Sequence, residues 1–232
     1  MKYQIKTEEL FDFSRTVAGD FLKKCEYPWE ALEHIGEWIV TLGGELPTER
    51  YEQVAEHVWI AKSARVAPTA SISGPCIIGE ETEVRHCAYI RGNALVGNGA
   101  VVGNSTELKN VILFDGVQVP HYNYVGDSIL GYKSHLGAGA ITSNVKSDKS
   151  MVVIRTQEKR LDTGRKKVGA MVGDLVEVGC GCVLNPGTVL GKGCTIYPLS
   201  SVRGIVPSQA IYKHYSEISL CERRASKSAE KN

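Results

Sequence analysis

CIIGEETEVRHCAYIRGNALVGNGAVVG, residues 76–103, carries an apolar residue at every sixth position: Ile78, Val84, Ile90, Val96 and Val102. The period runs back through Ile72, Val66 and Ile60 to Val54, and forward through Leu108 to Phe114. It returns as Val172, Val178, Leu184, Leu190, Ile196 and Val202. The fourth residue after these positions is small: Ala64, Ala70, Cys76, Thr82, Ala88, Ala94, Ala100 and Thr106, then Cys182, Thr188, Cys194 and Ser200. Glycine often follows the apolar residue, as at Gly79, Gly97, Gly103, Gly173, Gly179 and Gly191. A helix repeats every 3.6 residues and an ordinary strand every two, so a period of six fits neither alone. Short strands joined by tight bends do have that period. Three hexads make one triangular coil of 3 × 6 = 18 residues, and coils stack at about 4.8 Å. The expected fold is therefore mainly β, a parallel β-helix of hexapeptide repeats.

The bulk composition fits. Charged residues make up 23% and the formal net charge is +1, so no global charge points to nucleic acid or an anionic membrane. The 24 glycines and 7% aromatics suit a turn-rich solenoid better than a thick aromatic core. The seven cysteines are odd in number and form no CxxC, which reads as reduced thiols in a cytoplasmic protein. MKYQIKTEEL is too polar for a signal peptide.

The repeat divides the chain into three parts. Residues 1–53 lack it. EELFDF and PWEALEHIGEWIVTLGG have helical apolar spacing, with Gly43 and Gly44 as a stop, and are expected to form a helical cap over the first coil. Residues 54–206 form the β-helix, interrupted by a polar, basic loop at about 145–170 that reads as a projecting hairpin. Residues 207–232 are expected to hold a charged helix from Ser208 to about Arg224 and a disordered end, ASKSAEKN.

Arg91 and Lys109 each follow an apolar hexad residue and lie 109 − 91 = 18 apart, one full coil. They are expected to stack on one face. Two cations about 5 Å apart repel by roughly 3 kcal/mol at an effective dielectric of 20. A bound phosphate relieves that repulsion; so do solvent or nearby Glu side chains.

The hexads resemble the left-handed β-helix acyltransferases, and the left hand is an implication of that resemblance. VPHYNYVGDSILGYKSHLGAGAITSN, residues 119–144, closely resembles the acetyltransferase domain of the bifunctional N-acetylglucosamine-1-phosphate uridyltransferase/glucosamine-1-phosphate acetyltransferase. The similarity runs from about 54 to 206, and no uridyltransferase-like half is evident in this chain. The resemblance implies an acetyl-CoA-dependent N-acetyltransferase acting on an amino-sugar phosphate in UDP-N-acetylglucosamine or cell-envelope precursor biosynthesis. It also implies a cytoplasmic homotrimer with its site between subunits, no metal in the chemistry, and no nucleic-acid or membrane partner. His121 matches the family's general base, which takes the proton of the sugar amine. Ala138 matches the backbone N–H donor to the oxyanion. Arg91, Lys109, Tyr124, Asn144, His135 and Lys167 match substrate-binding positions; Lys167 aligns by counting back from VGD across a loop about twice as long as the family's. Cys180 and Pro198 match acetyl-CoA-binding positions, and the basic loop and tail are within the region expected to meet CoA phosphates.

The chain departs from the family in four places. The family has Asn where His135 stands, Tyr where Val145 stands, Ser at Cys180 and Ala at Pro198. Proline has no N–H to donate. Two other functions remain open on these residues. One is a non-catalytic solenoid that binds a sugar nucleotide or CoA. The other is a γ-carbonic-anhydrase-like metalloenzyme, which needs three His on neighbouring coils; His86, His121 and His135 are the candidates, and Gly126 stands where a further ligand is needed.

Overall fold

The computed structural model describes residues 4–156, 159–214 and 217–220. Its centre is a parallel β-helix of about eight turns, as the hexads require. Three faces follow one another around each turn. On the first face Ile60, Ile78, Val96, Leu113, Leu130, Val172, Leu190 and Val206 stand one above the other. On the second, Val66, Val84, Val102 and Val119 stack in register, as do Leu136, Val178, Ile196 and Tyr212 above them. On the third, Ile72, Ile90, Leu108 and Val125 stack, as do Thr142, Leu184 and Val202. From Ile78 upward these side chains are almost wholly buried.

The period is not uniformly six. Leu113, not Phe114, continues the first face, because the chain crosses the corner after Leu108 in five residues (113 − 108 = 5). Val125 to Leu130 repeats the step. Each shortened corner turns through a left-handed residue, Asn110 (φ 55°) and Asp127 (φ 48°). Asn and Asp tolerate that conformation better than other side chains. Phe114, displaced by one position, faces outward and meets Phe11 with ring centroids 5.0 Å apart. Val54, at the lower end of the period, is half-exposed on the strand Tyr51–Ala55.

The N-terminal segment is not a cap over the first coil. It is a strap that descends the whole first face. Gln4 is hydrogen-bonded to Ser208 at the last turn. The Asp12 N–H donates to Asp174 Oδ2 (2.7 Å), Asn110 Nδ2 donates to the Leu32 carbonyl (3.1 Å), and Gly43 lies under the Trp59 ring at the first turn. The reason is a second apolar column on that face. Trp59, Ile77, Leu95, Ile112, Ile129, Met171 and Val189 precede the inward residues on the face that the strap descends, and all seven are buried. The helix Ile35–Glu45 runs through Gly43 and Gly44 instead of stopping there. A Cβ at Gly43 would meet the Trp59 ring at 2.4 Å, so that glycine is for close packing.

Both ends are closed by antiparallel strands. Tyr51–Ala55 pairs with Val58–Ala61 below, and Glu217–Leu220 pairs with Ala210–His214 above. The helix expected after Ser208 is therefore absent among the described residues. Ile211 and Tyr212 extend the second-face ladder from Thr195 and Ile196, and Ala210 and Tyr212 alternate inward. A strand that completes an open ladder outweighs a weak helical pattern. The ASKSAEKN end lies outside the described residues.

The loop at 145–170 is a hairpin, as expected, with Val153–Arg155 antiparallel to Arg160–Asp162. It folds back onto the upper coils. Val152 and Ile154 are buried, and their side chains cover Gly187. Gly187 has φ +78°, and a Cβ there would meet Val152 at 2.7 Å. The Arg165 guanidinium also pairs with Glu33 of the strap (3.4 Å).

If the strap contributes to the core, Phe11→Ala destabilises the protein by about 3–5 kcal/mol, the usual cost of emptying a buried aromatic site. Denaturant unfolding monitored by circular dichroism checks this. A change below about 1 kcal/mol contradicts the strap's role.

Candidate active site

The corner between the second and third faces gathers four of the residues singled out in the sequence. His121, Ala138, Cys180 and Pro198 each stand two residues past an inward residue of the second face, on four successive coils. Backbone bonds lock the column. The Gly139 N–H donates to the His121 carbonyl (3.0 Å), Gly181 N–H to Ala138 (2.8 Å) and Leu199 N–H to Cys180 (2.9 Å). All four side chains are exposed, so His121 faces solvent. The Ala138 N–H donates to no other described residue.

Asn123 fixes this corner, and sequence inspection missed it. It is buried at 2% exposure. Its Oδ1 accepts the His121 N–H (3.1 Å), and its Nδ2 donates to the carbonyls of Gly137 and Ala140 (both 2.9 Å), on either side of Ala138. One side chain thus ties the His121 backbone to the coil bearing Ala138.

At the opposite end of the third face lies a second cluster. Asn110, Asp127 and Asn144 stack on three successive coils around one carboxylate. Asn110 Nδ2 donates to Asp127 Oδ1 (2.9 Å) and Asn144 Nδ2 to Oδ2 (2.5 Å). Lys109 Nζ lies 3.4 Å from both oxygens, and Asp127 is buried. Asn144 Nδ2 also donates to the Tyr124 hydroxyl (3.2 Å). Burial raises the Tyr124 pKa, so the phenol keeps its proton and retains an O–H to donate. Asp127 belongs to the quoted motif, but hexad arithmetic gives it no role; its signal is the five-residue corner.

Arg91 and Lys109 do stand side by side, since Ile90 and Leu108 are in register. Each has a carboxylate partner. Arg91 Nη1 binds Glu107 (2.7 Å), a contact that raises its pKa, and Lys109 faces Asp127. These four groups sum to zero charge. Any anion held there is held by hydrogen bonds more than by net charge.

His135 joins neither cluster. It lies on the second face, level with Gln118 and Glu177, and its Nδ1 is 2.9 Å from Glu177 Oε2. Lys167 is at the neck of the hairpin. It pairs in an antiparallel bridge with Val145, and the following Val168 N–H donates to the Asn144 carbonyl (3.0 Å), so its backbone lies near that of Asn144. The three-His arrangement of a metalloenzyme is not formed. His86 and His121 share a corner, but the coil of Asn104 separates them by about two strand spacings, roughly 10 Å. Both His86 ring nitrogens have neighbours, Thr69 Oγ1 at 2.7 Å and Cys87 Sγ at 3.2 Å. No helix among the described residues is long and apolar enough to cross a membrane.

Comparison with known proteins finds relatives over much of this chain. The family model for the GMPPB C-terminal domain matches residues 72–157. A bifunctional sugar-1-phosphate nucleotidylyltransferase/acetyltransferase of Sulfurisphaera tokodaii is 29% identical over 57% of this chain and 38% of its own length. A bifunctional protein GlmU of Methanococcus maripaludis is 32% identical over 73% of this chain and 42% of its own. A putative uncharacterized acetyltransferase of Escherichia coli, YaiX, is 28% identical over 68% of each. The chain spans less than half the length of the bifunctional relatives it matches. The chain is thus similar to named acetyltransferases and to bifunctional proteins of the GlmU type, and it has the parallel β-helix that its hexapeptide repeats require.

Asn123→Ala leaves the Ala140 carbonyl and the His121 N–H without this partner, while the Gly137 carbonyl keeps the Ala140 N–H (3.0 Å). At roughly 1–3 kcal/mol for a buried polar group left unpaired, the variant loses at least about 2 kcal/mol of stability. Urea denaturation measures it, and an unchanged midpoint contradicts the tie.

Proposed function

We propose that the protein is an acetyl-CoA-dependent N-acetyltransferase acting on an amino-sugar phosphate, with glucosamine-1-phosphate as the first substrate to test. The observation that carries this is the two clusters at opposite ends of one narrow face. His121 marks one end. Gly126, level with Lys109, marks the other, five residues on and at most about 17 Å away along an extended chain, less around two bends. An amino-sugar phosphate laid across the face puts its amine toward His121 and its phosphate toward Arg91 and Lys109, with Tyr124 and Asn144 against the ring. Lys167, at the neck of the hairpin, is within the same neighbourhood as Asn144. His135 serves the acceptor only from the neighbouring face, as it does if a second subunit of a homotrimer completes the site.

The chemistry then uses the corner column. The neutral imidazole of His121 takes the proton from the amine as its lone pair attacks the thioester carbonyl. A C–N bond forms, and the oxyanion is met by the outward Ala138 N–H, worth about 3 kcal/mol for such a donor. The C–S bond breaks, and the imidazolium returns its proton to the departing CoA thiolate. CoA lies along Cys180 and Pro198, one and two coils above Ala138. The reaction asks for no metal from these residues.

Two measurements check the proposal. With acetyl-CoA and glucosamine-1-phosphate, His121→Ala lowers thiol release by about 10²–10⁴-fold while leaving both KM values within a few-fold. Turnover equal to wild type overturns the role of His121. Binding of acetyl-CoA with no turnover by wild type, across several amino sugars, favours the non-catalytic solenoid. Separately, a maleimide labels the exposed Cys87 and Cys180 in the native protein, whereas Cys76 and Cys194, buried with thiol pKa values pushed up to about 12, stay silent. Acetyl-CoA protects Cys180 and leaves Cys87 reactive. Equal labelling of Cys180 with and without acetyl-CoA rejects the column as the CoA site.

A further inference from the structure

The lower coils carry a cluster of side chains that acetyl transfer does not use. The strand Glu83–Val84 ends, and the chain turns the corner through Arg85, His86 and Cys87. Neighbouring side chains on a strand point to opposite sides. The left-handed turn at Cys87 (φ 57°) instead brings two of them together, with His86 Nε2 3.2 Å from Cys87 Sγ. Thr69, one coil below Cys87, completes the set. Its Oγ1 lies 2.7 Å from His86 Nδ1 and accepts the Cys87 N–H (3.3 Å). From the coil above, Asn104 Nδ2 donates to the His86 carbonyl (3.1 Å). The imidazole is thus held at both nitrogens and at its backbone.

The order sulfur, imidazole, hydroxyl is what a nucleophilic thiol requires. A thiol reacts as its thiolate. His86 Nε2 is placed to take the Sγ proton, and the imidazolium then has both N–H groups met, one by the sulfur and one by Thr69 Oγ1. A hydroxyl oxygen has two lone pairs, so Thr69 accepts that N–H and the Cys87 N–H together. The same chain supplies a contrast. Cys180 is also exposed, but its column neighbours are Ala138 and Pro198, and no histidine stands beside it among the described residues. Cys76, Cys182 and Cys194 are buried. Thr69, His86 and Cys87 are all exposed. Such access suits exchange with a small dissolved disulfide, which needs a clear approach to the sulfur more than an enclosing pocket.

We infer that Cys87 is a thiol–disulfide exchange site for low-molecular-weight disulfides, with His86 as its base and Thr69 as the residue that positions His86. The thiol gives its proton to His86 Nε2, and Sγ attacks one sulfur of R–S–S–R. A Cys87–S–R bond forms and the R–S–S–R bond breaks. The departing thiolate takes the proton from the imidazolium and leaves as R–SH. The disulfide is the oxidant: Cys87 is oxidised and one sulfur of the reagent is reduced. The adduct stands on the corner that carries His121, two coils lower, and the inference does not depend on acetyl transfer.

Glutathione disulfide is the probe. The reduced full chain is mixed with it, samples are quenched with acid over time, and peptide mass mapping follows the adduct at each cysteine. Cys87 gains glutathione at least about tenfold faster than Cys180, and dithiothreitol reverses the change. His86→Gln slows Cys87 about tenfold or more and leaves the Cys180 rate as it was. Thr69→Val slows Cys87 by a smaller factor. The altered side chains are exposed, so circular dichroism of both variants matches wild type. Reaction at Cys87 no faster than at Cys180, a Cys87 rate untouched by His86→Gln, or an equal slowing of both cysteines by His86→Gln overturns the inference. A Thr69→Val rate equal to wild type removes Thr69 from the site.

Discussion

Each coil is held above the last by a continuous backbone ladder, and that vertical register governs everything else in the molecule. Parallel strands only a few residues long have little stability singly. Stacked, they bury one continuous core, and each outward column becomes a straight line of side chains at strand spacing. Residues far apart in sequence are thereby neighbours: Ala138 and Cys180, 180 − 138 = 42 apart, sit on adjacent coils because the hairpin leaves and rejoins at one corner. A side chain on such a scaffold has little freedom to wander, which is the condition for placing a base, an oxyanion donor and a binding cluster on one small face.

The register also explains where the polar groups are buried. Shortened corners at Asn110 and Asp127 need left-handed residues, and the side chains that tolerate this conformation are themselves polar. Asp127 is then enclosed with a lysine and two amides around it. Asn123 is similarly spent on three backbone groups. Such networks stabilise only when complete, since a single missing partner leaves a buried donor or acceptor unpaired. The proposed acceptor site and the corner that carries His121 are thus built from the same groups that close the coils.

Much of this was legible in the sequence. A strict period with a small-residue column has no other simple geometric solution, and 18-residue spacing placed Arg91 beside Lys109 before any coordinates. The remainder escaped for physical reasons. Phe114 is apolar at an on-period position, so the five-residue corner that puts Leu113 in its place is invisible to counting. Helical spacing says which side of a helix is apolar, not what it covers, so a strap and a cap look alike in sequence. The needed clue was the second apolar column from Trp59 to Val189, adjacent to the repeat and hidden behind it. The tail looks helical in sequence because its ladder partner is sixteen residues back (212 − 196 = 16), after a corner of only four (206 − 202 = 4). Charge pairing is tertiary information: nothing local shows that Glu107 and Asp127 neutralise the two stacked cations.

The corner column is the most direct thing to test. In a Cys87→Ser background, Ala138→Cys faces the native Cys180 from the adjacent coil, at a Cα separation of about 4.8 Å. That is within the roughly 4.4–6.8 Å over which two cysteines can be joined. Mild oxidation, or a thiol-specific cross-linker one or two atoms long, should join residues 138 and 180 within a single chain, with both thiols lost together and the link located by peptide mass mapping. Two thiols that stay free and independently reactive would mean that these coils are not in this register, and neither His121 nor Ala138 would then stand where acetyl transfer needs them.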